Sequence, residues 1–145
     1  MQHKRINRSE LFMGLAILSS KRSLCQRLQV GAVLVKDNRI IANSYNGLLP
    51  GTPDKCYLEC DLNKPCTKTL HAEENLIAFC AKEGIPMTGC SVYITHSPCH
   101  KCLNLLTQAG VTSIIYKTPY RNVDHLLDTL VSIGQFSSNK TLTYK

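Results

Sequence analysis

The 145-residue sequence has no tryptophan, three phenylalanines and six tyrosines, so it is poor in the aromatic platforms on which proteins stack the bases of single-stranded nucleic acid. It has no apolar run approaching the roughly 20 residues needed to cross a bilayer. Proline and glycine are modest, at six and eight, and no internal repeat is visible, which sets aside collagen-like and low-complexity chains. Acidic residues are scarce beside basic ones, 10 against 17, leaving a net charge of +7. That balance favours anionic partners, nucleotides or nucleic acid. The basic residues are scattered in pairs (Lys4-Arg5, Lys21-Arg22) and most read as solvated surface. With so few aromatics, a small nucleotide fits better than a strand.

Cysteine is what the chain has in excess, with eight. In a secreted protein these would form up to four disulfides. The start, with Lys4, Arg5 and Arg8 ahead of an apolar run from Leu11 to Leu18, superficially resembles a signal peptide. Ser9 and Glu10 interrupt its entry, no small-x-small cleavage site follows, and Lys21-Arg22 closes it. The expectation is therefore a cytoplasmic protein whose cysteines are thiols or metal ligands. The length fits one compact domain, residues 1–145, able to bury about two-thirds of its unfolded surface.

Ser9 reads as the N-cap of a first helix with Leu11, Leu15 and Leu18 on one face. Val30–Val35 and Arg39–Tyr45 are β-rich runs joined by the turn-prone Lys36-Asp37-Asn38, a hairpin. Residues 47 to 70 carry Gly47, Pro50, Gly51, Pro53, Pro65 and three cysteines without a sustained period, so they read as a long loop, functional or clamped. A helical pattern runs from His71 to Glu83 with Leu76, Ile77, Phe79 and Cys80 apolar, and Gly84 stops it. Cys90–Thr95 alternates as a strand. Ser97-Pro98 supplies an N-cap and first-turn proline for a helix through Leu103, Leu105, Leu106 and Ala109, ending at Gly110. Val111–Tyr116 is a strand. Val123–Ile133, with Leu126, Leu127, Leu130 and Val131 inward, is a fourth helix stopped by Gly134, and Thr141–Tyr144 a last strand. This order predicts an α/β fold, a mixed sheet with helices on both faces. Strands that follow helices should lie parallel to their neighbours through right-handed crossovers.

Two short motifs open helices in this reading: His71-Ala72-Glu73 and Pro98-Cys99-His100-Lys101-Cys102. Alone, the second could be a thioredoxin-like redox pair and the first occurs by chance. Together and in this order they form the H-x-E then P-C-x-x-C pattern of zinc deaminases. Cys99 and Cys102, three apart, share a helix face, and the helix N-terminus should favour their thiolates. His71 adds an imidazole nitrogen. Three protein ligands leave one position of a tetrahedral zinc for water, the mark of a catalytic site. The ligand charges cancel those of the ion, which keeps its Lewis acidity. Glu73 is the natural proton carrier, with His71 reaching from the first turn; the plain alternative for Glu73 is a capping carboxylate.

Cys56, Cys60 and Cys66 lie in the long loop, and Cys25 just before the first strand. These four could form a closed, all-thiolate structural zinc site of net charge −2, offset by Lys55, Lys64, Lys68, Arg22 and Arg27. Free thiols or two disulfides are the alternatives. Cys80 and Cys90, in a helix and a strand, read as small buried hydrophobes.

At Val30-Gly31-Ala32-Val33, Tyr45-Asn46-Gly47, His71-Ala72-Glu73, Ser97-Pro98-Cys99-x-x-Cys102 and Ala109-Gly110-Val111, the chain resembles the deoxycytidylate (dCMP) deaminase branch of the cytidine and deoxycytidylate deaminase superfamily. The zinc motif belongs to the whole superfamily, whereas Tyr45-Asn46-Gly47 with a cysteine-rich loop favours this branch. The resemblance implies a cytidine-deaminase-like three-layer α/β/α fold with about five strands, one catalytic and one structural zinc, and a homo-oligomer, often a hexamer. It implies hydrolytic deamination of dCMP to dUMP and ammonia by a zinc-activated water, with Glu73 moving the protons. Asn46 should bond the base or sugar, turn chemistry beside Gly47 being its alternative. Ala72 should offer backbone contacts, Ser97 a carbonyl for the amino group, and Tyr120 and Arg121 a phosphate site. The family's usual glycine before Tyr-Asn-Gly is Ser44 here, which bears on regulation by nucleoside triphosphates and leaves catalysis untouched. Rival activities are dCTP or another nucleobase as substrate, and, from a different class, a non-catalytic zinc-stabilised interaction domain, against which Glu73 argues.

Overall fold

The computed structural model describes residues 2–53, 57, 60–64, 66–120 and 130–137. In chain order its elements are α1 (Arg8–Ser20), β1 (Gly31–Lys36), β2 (Arg39–Tyr45), α2 (Ala72–Glu83), β3 (Ser91–His96), α3 (His100–Gln108), β4 (Ser113–Thr118) and β5 (Ser132–Gln135). The five strands form one mixed sheet in the order β2-β1-β3-β4-β5. β1 and β2 make the expected hairpin, turning on Asp37 and Asn38 with φ of 49° and 61°. Two successive positive φ angles are those of a type I′ turn, which matches the twist of paired strands, and Asp and Asn tolerate them.

β3 pairs parallel to β4, and β4 parallel to β5, whereas β1 pairs antiparallel to β3. The expectation that strands after helices lie parallel to their neighbours therefore fails at β1–β3. The reason is the hairpin: β2 and β3 both run against β1, so the crossover through α2 links two strands of like direction over the one between them.

Side-chain alternation sorts the core into two layers. Ala32 and Leu34 of β1, Val92 and Ile94 of β3 and Ile114 of β4 face Leu76 and Cys80 of α2 and Leu103 and Leu106 of α3. On the opposite face Val33 and Val35 meet Phe12, Met13 and Ala16 of α1. The result is the three-layer α/β/α arrangement. Leu34, Leu76, Ile94, Leu103 and Leu106 are essentially fully buried, each worth about 1.5–3 kcal/mol over exposure. Cys80 and Cys90 are buried, as small hydrophobes would be. α2 ends at Gly84, whose φ of 69° fits the left-handed cap that glycine adopts without strain.

Three expectations need correction. The N-cap of α1 is Asn7, not Ser9: Asn7 Oδ1 accepts the Glu10 N–H at 2.7 Å and Glu10 Oε2 accepts the Asn7 N–H at 3.0 Å, a reciprocal capping box. The buried face is then Phe12, Met13 and Ala16, while Leu11 and Leu18 are exposed. Close approach decides this, because a Cβ on Gly31 would lie 2.0 Å from the Ala16 carbonyl oxygen, so only a small residue fits on the inner face of α1 there. Second, α3 starts at His100 with Cys99 as N-cap, rather than at Ser97-Pro98. Third, the stretch expected to complete a fourth helix contains β5, and Gly134, the expected stop, pairs with Ile115 inside that strand. Val131 and Ile133 both join the core and Leu130 is exposed, a period of two rather than 3.6. The remainder of that expected helix and the Thr141–Tyr144 run fall in 121–129 and 138–145, outside the described residues.

Candidate metal centre and catalytic pocket

His71 and Cys99 are the N-caps of α2 and α3, and both have extended backbone. A cap residue stands at the mouth of its helix, so the packing of α2 beside α3 brings the two mouths together. His71 Nδ1 lies 3.3 Å from Cys102 Sγ and 3.8 Å from Cys99 Sγ. The three donor atoms lie within 4.8 Å of one another, and they are the one such group of three among the described residues. A tetrahedral zinc with ordinary Zn–N and Zn–S bonds has N-to-S edges of about 3.6 Å, so one imidazole and two thiols at these separations fit that ion.

Glu74 braces the centre. Its Oε1 accepts the His71 N–H at 2.9 Å, and its Oε2 lies 3.5 Å from Lys101 Nζ, so one carboxylate joins the two helix starts. Although burial opposes ionisation, the His71 N–H and the charges of His71 and Lys101 hold the Glu74 carboxyl below its usual range.

The helix N-terminus is the influence that favours thiolates at Cys99 and Cys102, and at Cys102 burial works against it. Burial first, then the charges of Glu73 and Cys99, push its thiol far up. Buried negative charge needs a partner, so the site asks for a cation before Cys102 ionises.

Glu73 is 5% exposed and lines one cavity with His71, Ala72, Cys99, Asn46 and Ser97. Ser97 is anchored by its own N–H to the Thr118 carbonyl at 3.0 Å and by Oγ, which accepts the Tyr120 N–H at 2.8 Å. Tyr120 stands at the rim with its ring edge-on to His96. Asn46 reaches the same cavity with its amide engaged: Oδ1 accepts the Val30 N–H at 2.9 Å and Nδ2 donates to the Leu28 carbonyl at 2.8 Å. Arg121 is outside the described residues.

Sequence reasoning missed five members of the cavity wall: Arg27, Leu28, Val30, Thr69 and His96. Arg27 had been assigned to the second cysteine cluster. His96 was legible as the residue between Thr95 and Ser97-Pro98-Cys99, at the end of β3 where the sheet opens toward the motif. Its Nδ1 is 2.8 Å from Thr95 Oγ1, and burial, reinforced by Lys117, keeps the ring below its usual pKa.

The second cysteine set does not converge as the first does, since His71, Cys99 and Cys102 are the one group among the described residues whose ligand atoms all lie within 4.8 Å of one another. Cys60 and Cys66 are hydrogen-bonded, and Cys25 is close enough to act on Cys60 by charge. Cys60 is pushed up by burial, Cys66 and Cys25. Cys66 is drawn down despite burial, by main-chain N–H groups of Lys68 and Thr69. Cys56 lies outside the described residues. Cys25 and Cys66 also line the cavity that holds Glu73, so the two sets share a wall.

Comparison with known proteins follows this chemistry. Residues 6–118 match the family described as the cytidine and deoxycytidylate deaminase zinc-binding region. The chain is 38% identical to ComE operon protein 2 of Bacillus subtilis strain 168 over 122 residues, 81% of this chain and 63% of that one. It is 33% identical to the deoxycytidylate deaminase of Mycobacterium phage D29 over 119 residues, 74% of this chain and 91% of the relative. The crystal structure of the dCMP deaminase of cyanophage S-TIM5 in complex with dCMP and dUMP superposes with a TM-score of 0.79 at 32% identity, covering 92% of this chain and all of that one. The chain thus belongs to the cytidine and deoxycytidylate deaminase family.

Proposed function

We propose that the protein hydrolyses dCMP to dUMP and ammonia, supplying dUMP for thymidylate synthesis. One observation carries the chemistry: the donor atoms of His71, Cys99 and Cys102 converge in a cavity walled by the buried Glu73. The substrate is supported by likeness to the S-TIM5 enzyme, whose structure holds dCMP and dUMP.

His71 Nδ1, Cys99 Sγ and Cys102 Sγ would hold one zinc. When bound, zinc supplies Lewis acidity that activates a water at neutral pH. Glu73 accepts the proton of the attacking water, returns it to ring N3, and carries a second proton to the amino group that leaves as ammonia. The Ala72 backbone and the Ser97 carbonyl orient the cytosine at C4. Asn46 contributes the cavity wall beneath base and sugar, using what hydrogen-bonding capacity its two main-chain partners leave. Arg27 is a cation on the cavity wall suited to the phosphate, with Tyr120 at the rim and Arg121 by family resemblance.

A second zinc on Cys25, Cys56, Cys60 and Cys66 is supported by the influence of Cys66 and Cys25 on the Cys60 thiol. The seven described cysteines are free, in keeping with a reducing, cytoplasmic setting, and among the described residues no helix is long and apolar enough to cross a membrane. Self-association is supported by Leu24, Leu49 and Phe79, exposed apolar side chains around a second surface concavity.

The test is incubation of the purified protein with dCMP, dCTP, cytidine and a cytosine-containing oligonucleotide, following ammonia release. Turnover of dCMP is expected to exceed that of the others, and Glu73→Ala should lower kcat about 10²- to 10⁴-fold. Turnover of none by the wild type would favour the zinc-stabilised interaction domain.

A further inference from the structure

Ser44 stands in β2, 7% exposed, opposite Ala32 of β1. Its Oγ donates to the Ala72 carbonyl at 2.6 Å, and Ala72 is fully buried. Ala72 is the first residue of α2 and sits between His71 and Glu73. Its carbonyl belongs to the peptide unit whose N–H is that of Glu73, so a bond to this oxygen fixes the plane from which the Glu73 side chain springs. The helical ladder offers the same oxygen the N–H of residue 76. The Ser44 bond is therefore a second one, which the helix does not need for satisfaction.

Docking of α2 on β2 has a separate fastening one turn on, where Asn75 Nδ2 donates to the Tyr45 carbonyl at 2.7 Å. The two links differ in what they hold. Asn75 ties the body of the helix to the strand end, whereas Ser44 grips the one peptide linking Ala72 to Glu73. From sequence alone Ser44 has no part in catalysis; the bond to the Ala72 carbonyl is what gives it one.

We propose that Ser44 is a positioning residue that sets the placement of the Glu73 carboxylate through the Ala72 carbonyl. The inference rests on the deaminase reading above. Small displacements of a proton-transfer group are costly in rate, whereas Ser44 is not among the residues that line the cavity. Loss of the hydroxyl should accordingly fall on kcat and spare KM.

The experiment compares wild type, Ser44→Ala, Ser44→Gly and Asn75→Ala for kcat and KM on dCMP, bound zinc and Tm. Both Ser44 variants should lose about tenfold in kcat, with KM within about twofold, zinc content unchanged and Tm lowered by a few degrees or less. Asn75→Ala should lower Tm and keep kcat within about twofold of wild type. A Ser44→Ala kcat within about twofold of wild type, a loss tracking zinc content or KM, or an equal loss in Asn75→Ala overturns the proposal. Absence of dCMP turnover in the wild type would instead overturn the deaminase reading.

Discussion

Cys102 is fully buried, and that burial is the first cause that raises its thiol pKa. The charges of Glu73, Cys99 and Glu74 act in the same direction, as suits a site built to receive a cation. The motif spacing made the ligand set legible. It did not reveal that burial and carboxylates work against the helix N-terminus, because those neighbours come from another helix. His96 was overlooked for the same reason: its cavity position depends on where β3 ends. Its ring is held below the usual imidazole range by burial and Lys117. The unfolded chain takes up a proton near pH 6.5 that the folded chain resists, so the neutral ring's contribution to stability is present above that pH and fades as pH falls. Thermal unfolding of His96→Asn should therefore show a smaller Tm difference between about pH 7.5 and about pH 5.5 than wild type shows. An unchanged difference would remove His96 from the acid response.

Among the elements, α2 was legible almost to the residue because its N-cap, His71, opens the H-x-E motif and its end is a glycine. α1 was legible as a helix but not in its facing. Leu11, Leu15 and Leu18 form a valid apolar stripe, yet Phe12, Met13 and Ala16 form another, and the choice was made by the close pass of Gly31 beneath Ala16. A methyl at Gly31 would lie 2.0 Å from the Ala16 oxygen and 2.6 Å from the Ser20 nitrogen, both backbone atoms that cannot swing aside. Gly31→Ala should cost about 2–3 kcal/mol or more in denaturant unfolding. A loss below about 0.5 kcal/mol would mean that α1 does not sit this close to β1. β5 was misread because Val131 and Ile133 follow a helical-looking run of leucines, and pairing with β4 imposes a period of two.

For the whole molecule, alternation of helix and strand after a hairpin was enough to foresee three layers, whereas the direction of β1 against β3 was not foreseen. The same arrangement sets β2 beside α2, where Ser44 of β2 meets the Ala72 carbonyl and Asn75 of α2 meets the Tyr45 carbonyl. The shared wall between the two cysteine sets was also invisible in the sequence, because Cys25 and Cys66 meet the cavity that holds Glu73 only in the fold. Metal analysis should find two zincs per chain, and Cys60→Ser should leave about one with a lowered Tm. Full retention of both zincs in that variant would exclude the four-thiolate site.

The most direct measurement is anomalous diffraction from crystals of the purified protein at the zinc edge. The expected result is a peak about 2.1 Å from His71 Nδ1 and about 2.3 Å from the sulfurs of Cys99 and Cys102, with no fourth protein ligand and with Glu73 beside the remaining position. Absence of that peak, or a fourth side chain closing the coordination, would contradict a catalytic metal at this centre.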